Sequence, residues 1–183
     1  GEDTKYFVSQ QVYSWEENQL ESTTFSYVKN SASSATLTIH HDGGATKTIH
    51  ELIFSSENSA TGTWTEQETV TYEGTTTFTI IYEEYAPDYL NGWKLDAGAS
   101  TYKFTGDSTG VFYHEDEGNY SDSELSNITY TWEKAGPEIG KLYTSLDEIT
   151  WLFFEDNTTG RYHWQEQEQD NNGSGYFSLN YYP

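Results

Sequence analysis

Acidic turns are the part of this sequence best suited to chemistry. Thirty Asp and Glu outnumber eight Lys and Arg, for a formal net charge of -22, and many of the carboxylates cluster among turn residues. Calcium takes six to eight oxygen ligands from such groups, although no segment has the acidic spacing and glycine of an EF-hand loop. The other interpretation, which we favour, is a solvated rim that keeps strand edges from pairing with other chains. The predicted calcium ligands are Asp107, Glu155, Asp156 and Asn157.

The sequence gives weaker support for other kinds of catalytic site. Paired carboxylates hydrolyse glycosidic bonds when they are about 5 to 9 Å apart, but thirty candidates single out no pair. His114 and His163 follow glycines of two similar hairpins, yet no further zinc ligands can be assigned to them. Gly173-Ser174-Gly175 lacks the Gly-x-Ser-x-Gly spacing of a serine hydrolase. The sequence therefore predicts a protein without enzymatic activity, with calcium as the only candidate cofactor.

Aromatic residues offer a binding function instead. The chain has six Trp, sixteen Tyr and nine Phe. Ring faces stack on the C–H surfaces of sugars, which makes carbohydrate binding one hypothesis; the alternative is that the rings fill the core in place of Leu and Met. The predicted ligand-binding residues, which lie beside polar or acidic turns, are Trp15, Trp64, Trp93 and Trp164.

Composition narrows the partners and the compartment. The negative charge repels phosphate backbones and anionic headgroups, so we expect no nucleic-acid partner. No apolar run approaches the roughly 18 residues of a transmembrane helix. The chain has no Cys and no Met, which suits a secreted protein at the cell surface or outside the cell. The start at Gly1-Glu2-Asp3-Thr4 is typical of a chain whose export signal has been removed.

A fifty-residue spacing organises the strands. Phe54, Phe104 and Phe154 each end an apolar-rich stretch and lead through turn residues to a glycine that has an aromatic residue two positions after it. This pattern predicts three hairpins within four-strand meanders of about fifty residues. The alternative is coincidence among Thr-rich strands. Alternation of apolar and polar residues between the hairpins predicts further half-buried strands.

At a coarser scale, residues 4–85 resemble residues 101–182, which indicates a tandem duplication. We predict an all-β antiparallel meander of about fourteen strands, with halves at 1–85 and 99–183 and a connector at 86–98. The halves could also form one continuous domain. A sheet this long closes as a barrel, splits into two barrels or sandwiches, or stays twisted with guarded edges.

Two resemblances bear on the fold. Leu90-Asn91-Gly92-Trp93-Lys94-Leu95, followed by Tyr102-Lys103-Phe104 and a turn at 106–110, resembles the opening of bacterial lipocalin-like (calycin) domains. That resemblance implies a meander barrel with an interior ligand cavity. The stretches 25–37 and 54–64 resemble the Thr-rich β-repeats of secreted bacterial surface proteins, a class without a common activity.

Two functions follow as hypotheses. The first is an extracellular structural protein that associates through β-strand edges, with self-association or an extracellular protein as partner. The second is a lectin-like or lipocalin-like module that binds a glycan or small ligand. The predicted assembly strand consists of Lys5, Tyr6, Phe7 and Val8.

Overall fold

The chain folds almost wholly into antiparallel strands, as predicted. The computed structural model describes residues 5–8, 11–16, 19–68, 70–79, 84–114, 126–167 and 171–182. These residues form fifteen strands and one short 3-10 turn at Asp42–Gly44, against the fourteen or so strands expected. The chain divides into two compact units, Gly1–Tyr82 and Glu83–Pro183. The all-β antiparallel fold is thereby confirmed.

The first unit is a seven-stranded sheet whose strands pair in chain order. Its strands are β1 (Tyr6–Val8), β2 (Gln11–Glu16), β3 (Gln19–Lys29), β4 (Ser34–His41), β5 (Thr46–Ser56), β6 (Ser59–Gln67) and β7 (Thr71–Thr79). Period-two alternation places Ala35, Leu37 and Ile39 on the buried face of β4. The core formed around them includes Val12, Leu52 and Ala60.

The second unit is a closed eight-stranded barrel. Its strands are β8 (Trp93–Ala97), β9 (Ser100–Phe104), β10 (Thr109–His114), β11 (Ser126–Gly136), β12 (Ile139–Thr144), β13 (Glu148–Phe154), β14 (Thr159–Glu166) and β15 (Asn172–Tyr181). Each strand pairs with the next, and β8 pairs with both β9 and β15, which closes the ring. The interior is filled by side chains, as is usual for eight strands.

The segment before β8 covers one end of this barrel. Ala86 and Leu90 are buried in its core. The backbone N–H of Ala86 donates to the carbonyl of Pro137 (2.9 Å), and the indole N–H of Trp132 donates to the carbonyl of Pro87 (2.8 Å). The stretch 86–98, expected from the sequence to connect the halves, thus also supplies core residues and the strand that closes the barrel.

The three phenylalanines of the fifty-residue spacing each pair with the residue six positions later, but only two of those partners are glycine. The cross-strand pairs are Phe104 with Gly110, Phe154 with Gly160, and Phe54 with Ala60. Gly62, the glycine that follows Phe54, faces Leu52 instead, and the β5–β6 ladder is irregular between Phe54 and Ser56. The glycine of the first hairpin therefore lies two residues further along the chain, and Ala60 takes its place opposite the phenylalanine.

The two units nevertheless match strand by strand, β1–β7 to β9–β15. Corresponding cross-strand pairs are Phe7–Val12 with Phe104–Gly110, Leu37–His50 with Leu142–Thr150, His50–Trp64 with Thr150–Trp164, and Ala60–Phe78 with Gly160–Phe177. A Cβ added at Gly74 or at Gly173 would lie 2.5 Å from the indole Nε1 of Trp64 or Trp164. The first unit is thus a copy of the barrel in which the described residues include no counterpart of β8.

Candidate functional site

The outer edge of β7 is the first candidate site. Its counterpart β15 pairs with β14 on one side and β8 on the other, whereas β7 pairs with β6 alone among the described strands. It is nine residues long, Thr-rich, and contains neither Pro nor Lys. Those are residues with which natural edge strands discourage pairing. The strand therefore presents a long row of backbone groups that could accept another strand.

The hydrogen bonds of β15 in the barrel indicate which backbone N–H and C=O groups of β7 face its outer edge. In β15 the N–H of Leu179 donates to Thr158, towards β14, and the N–H of Tyr182 donates to Gly92, towards β8. Alternate residues of an antiparallel strand direct their N–H and C=O groups to opposite sides. Even-numbered residues near the end of β15 therefore face β8.

Because the β6–β7 register matches the β14–β15 register, the same directions can be assigned to the backbone groups of β7. Tyr176 pairs with Arg161 next to the pair Phe177–Gly160, and Thr77 pairs with Thr61 next to the corresponding pair Phe78–Ala60. Thr77 is therefore the counterpart of Tyr176, and its N–H and C=O groups point to the open edge. The same argument applies to Thr79, the counterpart of Ser178.

Side chains on the two edge strands β1 and β7 are less covered than their counterparts in the second unit. Phe7 is 45% exposed, and Phe104, at the matching position, is 0% exposed. Phe78 is half-buried, and its counterpart Phe177 is 4% exposed. Phe7 packs edge-on against Phe25, with ring centroids 5.1 Å apart. Phe7 and Phe78 thus occupy positions that are covered in the second unit, where β8 pairs with β9 and β15.

The interior end of the barrel at the β8–β9 turn is the second candidate site. The buried Tyr102 hydroxyl donates to Glu148 Oε2 at 3.1 Å. Glu148 also lies directly opposite Glu166 on the same face of the β13–β14 ladder. Like charges in directly opposed positions destabilise a sheet by a few tenths of a kcal/mol up to about 1 kcal/mol. Such a pair inside a barrel is a feature expected of functional sites.

Burial sets the protonation behaviour of this end. It raises the pKa of Glu148 above its usual range, and Glu166 raises it further, while the Tyr102 hydrogen bond and His114 lower it. Burial also raises the pKa of Tyr102, with the Glu148 carboxylate as the next cause. Tyr102 therefore stays a neutral donor. The raised pKa of Glu148 favours a protonated carboxyl group beside the Tyr102 hydroxyl.

The corresponding positions of the first unit carry different side chains: Thr48 stands at the position of Glu148, and Glu66 at that of Glu166. His50 occupies the register position of Thr150, and its ring packs edge-on against Phe78 at 5.2 Å. Burial lowers the pKa of His50, and the positive charges of Lys5 and His41 lower it further. The two units thus share a frame but differ in the chemistry of their interiors.

The predicted calcium ligands lie in two turns, Asp107 between β9 and β10 and the other three between β13 and β14. Asp156 accepts hydrogen bonds from the backbone N–H and hydroxyl groups of Thr158 and Thr159 at 2.7 to 3.0 Å. These bonds, the Thr158 N–H first, lower the pKa of Asp156 to about 2. Asp107 accepts from the Asn91 amide at 3.1 Å, and the exposed Glu155 pairs with Arg161 at 3.3 Å.

Asn157, the fourth predicted ligand, is exposed in the same turn as Asp156. Within the described ranges, no group of three or more His, Asp and Glu side chains could hold a metal ion. Calcium binding stays a prediction.

The four tryptophans predicted to bind a ligand lie on four different strands, β2, β6, β8 and β14. Trp64 and Trp164 pack over glycines of the neighbouring strand. Trp93 packs edge-on against Tyr181, with centroids 5.9 Å apart, and contacts the barrel core. Trp15 is half-buried. This geometry favours the core-filling interpretation of these rings over a sugar-stacking surface.

The predicted assembly strand forms β1, with Lys5 immediately before it. It is an edge strand of the first unit, and it pairs with β2. Sequence reasoning missed the other edge, β7, although its lack of Pro and Lys was a readable signal. It also missed Tyr102 and Glu148, which are 46 residues apart and carry no local pattern.

Comparison with known proteins does not assign the chain to a family. No protein-family model and no curated protein matches the chain. Among the described residues there is no helix of the length and apolarity needed to cross a membrane. Fold and site together define an all-β protein in which a closed eight-stranded meander barrel follows a seven-stranded copy of itself.

Proposed function

We propose that this is a non-enzymatic extracellular structural protein that associates with neighbouring chains by adding β-strands at the open edge of its first unit. One observation carries the proposal: β7 has one partner strand among the described residues, whereas its counterpart β15 has two. Strand addition gains main-chain hydrogen bonds along the whole edge, and alternate side chains then give specificity.

Charge makes this association dependent on salt. Two copies with a formal charge of -22 each repel one another. Screening shortens the range of that repulsion from about 10 Å at 0.1 M salt to about 3 Å at 1 M. Backbone pairing at a Thr-rich edge is not weakened in the same way. Self-association is therefore expected to strengthen as salt is added.

Sedimentation velocity over a range of protein and salt concentrations tests the proposal. Thr77→Pro removes an N–H that faces the open edge and leaves the β6 ladder in place, since proline is tolerated on edge strands. Thr77→Ala keeps that N–H and is the matched control. We expect larger species for the wild type and Thr77→Ala, and at least tenfold weaker association for Thr77→Pro. A wild-type protein that stays monomeric at high concentration in 1 M salt contradicts the proposal.

The polar end of the barrel supports a second candidate, a lipocalin-like module for a glycan or small polar ligand. The supporting observation is the buried Tyr102–Glu148 hydrogen bond beside Glu166. A glycan array with the wild type and Tyr102→Phe tests it. Binding that the substitution abolishes favours this function, and no binding on the array counts against its glycan form.

A further inference from the structure

β7 and β1, the two edge strands of the first unit, correspond to β15 and β9, between which β8 lies in the second unit. We infer that β7 and β1 flank a gap that is a receptor for one strand donated by a neighbouring polypeptide. The donated strand runs antiparallel to β7 and β1 and carries an aromatic, a branched aliphatic and a small residue at alternate positions. The inference rests on the proposed strand-edge association and specifies the chemistry of its partner.

The template for the donor is β8 itself. This strand pairs antiparallel with β15 and β9, and its sequence is Trp93-Lys94-Leu95-Asp96-Ala97. Leu95 and Ala97 are 0% and 4% exposed, and Trp93 packs against the same core. Lys94 and Asp96 alternate with these residues and form an ion pair of 2.8 Å. One face of the strand therefore completes the core, and the other is polar.

The side chains of β7 and β1 determine which type of donor residue fits at each position. Ala97 pairs with Phe177, whose counterpart in the first unit is Phe78. A small donor residue is therefore required beside Phe78, because the large ring already fills that layer. Trp93 comes opposite Phe104 when the β8–β9 register is continued by one pair, and Phe104 corresponds to the exposed Phe7. The aromatic donor residue would cover Phe7.

The backbone of β7 is arranged for the same ladder. Ser178 pairs with Asp96, and Thr79 is the counterpart of Ser178. Thr77 and Thr79 direct their N–H and C=O groups to the open side, as their counterparts in β15 do towards β8. Main-chain pairing and side-chain coverage thus call for the same occupant, an extended strand with the alternation of β8.

A synthetic peptide with the sequence of residues 90–98 is the probe for the full-length chain. We expect saturable binding that slows amide hydrogen exchange in 71–79, and that displaces neighbouring copies in sedimentation experiments. A control peptide of identical composition exchanges Trp93 with Lys94 and Leu95 with Asp96, which inverts the alternation. It is expected to bind at least tenfold more weakly. Thr77→Pro in the protein should abolish binding, and Thr77→Ala should retain it.

The outcomes separate this inference from the proposed function. If both peptides bind equally or neither binds, and the wild type still associates through Thr77, then copies pair edge to edge and the donor pattern is wrong. Protection confined to 100–104 and 172–181 would mean strand exchange in the barrel, and also overturns the inference. Selective protection of 71–79 in a chain that remains monomeric supports the receptor while contradicting self-association.

Discussion

The first and second units bury the same kinds of residue to different extents. At matching positions, Phe104 is fully buried and Phe7 is 45% exposed, although both lie in the strand that begins a hairpin. The difference follows from β8, which is only five residues long. A short strand that closes a ring therefore affects the core well beyond its own length, because it covers the interior faces of two neighbours at once.

What the units share is equally informative. In both, a tryptophan of the sixth matched strand lies over a glycine of the seventh, Trp64 over Gly74 and Trp164 over Gly173. This contact forms whether or not the sheet is closed. It is therefore a property of the three-strand meander β5–β7 and of its counterpart β13–β15. The contact gives no information on whether a strand equivalent to β8 pairs with β7.

Truncation of the matched phenylalanines should give the largest contrast between the units. Phe104→Ala removes a fully buried ring and is expected to cost about 3 to 5 kcal/mol of unfolding free energy. Phe7→Ala, at an exposed edge, is expected to cost about 1 kcal/mol. Urea titration combined with hydrogen exchange of each unit measures both. Equal losses would show that the two positions are covered to the same degree in solution.

The shared glycine contact should give an effect of intermediate size in both units. A methyl group at Gly74 or Gly173 meets the indole ring 2.5 Å away, so Gly74→Ala and Gly173→Ala both force the tryptophan to move. We expect a loss of about 1 to 3 kcal/mol for each, together with changed near-UV circular dichroism. A loss in only one unit would mean that the two contacts are not equivalent.

The smallest expected effect concerns the opposed carboxylates Glu148 and Glu166 of the barrel. Because the pKa of Glu148 is raised on folding, its contribution is most favourable below the unfolded pKa and is lost as the pH rises through the folded value. Glu148→Gln keeps an acceptor for Tyr102 and removes the repulsion from Glu166. It is expected to stabilise the barrel by about 0.5 kcal/mol at pH 7 and to lose that advantage near pH 4.

Glu66→Gln provides the control for that comparison. Glu66 corresponds to Glu166 but faces Thr48, so its replacement removes a carboxylate without relieving an opposed pair. Thermal unfolding of both variants between pH 4 and pH 8 makes the measurement. If Glu148→Gln destabilises the barrel across that whole range, the repulsion is smaller than the loss of the native hydrogen bond.

The strands were predictable because their signals are local. Alternation at Leu37 and Ile39, and turn residues after Phe104 and Phe154, are readable within ten residues. Closure of the barrel was not predictable from the sequence, because the pairing of Trp93 with Tyr181 joins opposite ends of the unit and leaves no local pattern. The position of Gly62 was equally hidden, since the sequence alone does not show that Phe54 faces Ala60 and that Gly62 faces Leu52.

The candidate sites were harder to predict for the same reason. An edge strand and a central strand with the same alternation look alike in sequence, so the exposure of β7 required the register of both units. The Tyr102–Glu148 pair depends on strands that meet across a barrel interior. By contrast, the turn that holds Asp156 is local, and its Thr158-Thr159 partners were visible as neighbours.

The pairing of β8 with β15 has one more consequence. In a meander whose first and last strands are neighbours, strand order is a cycle, and cyclic permutations of the same eight strands give the same set of contacts. Among the described residues, the first unit has seven of these eight strand positions filled. A strand donated by another polypeptide would therefore give the same set of contacts as one placed before β1 or after β7 in the chain.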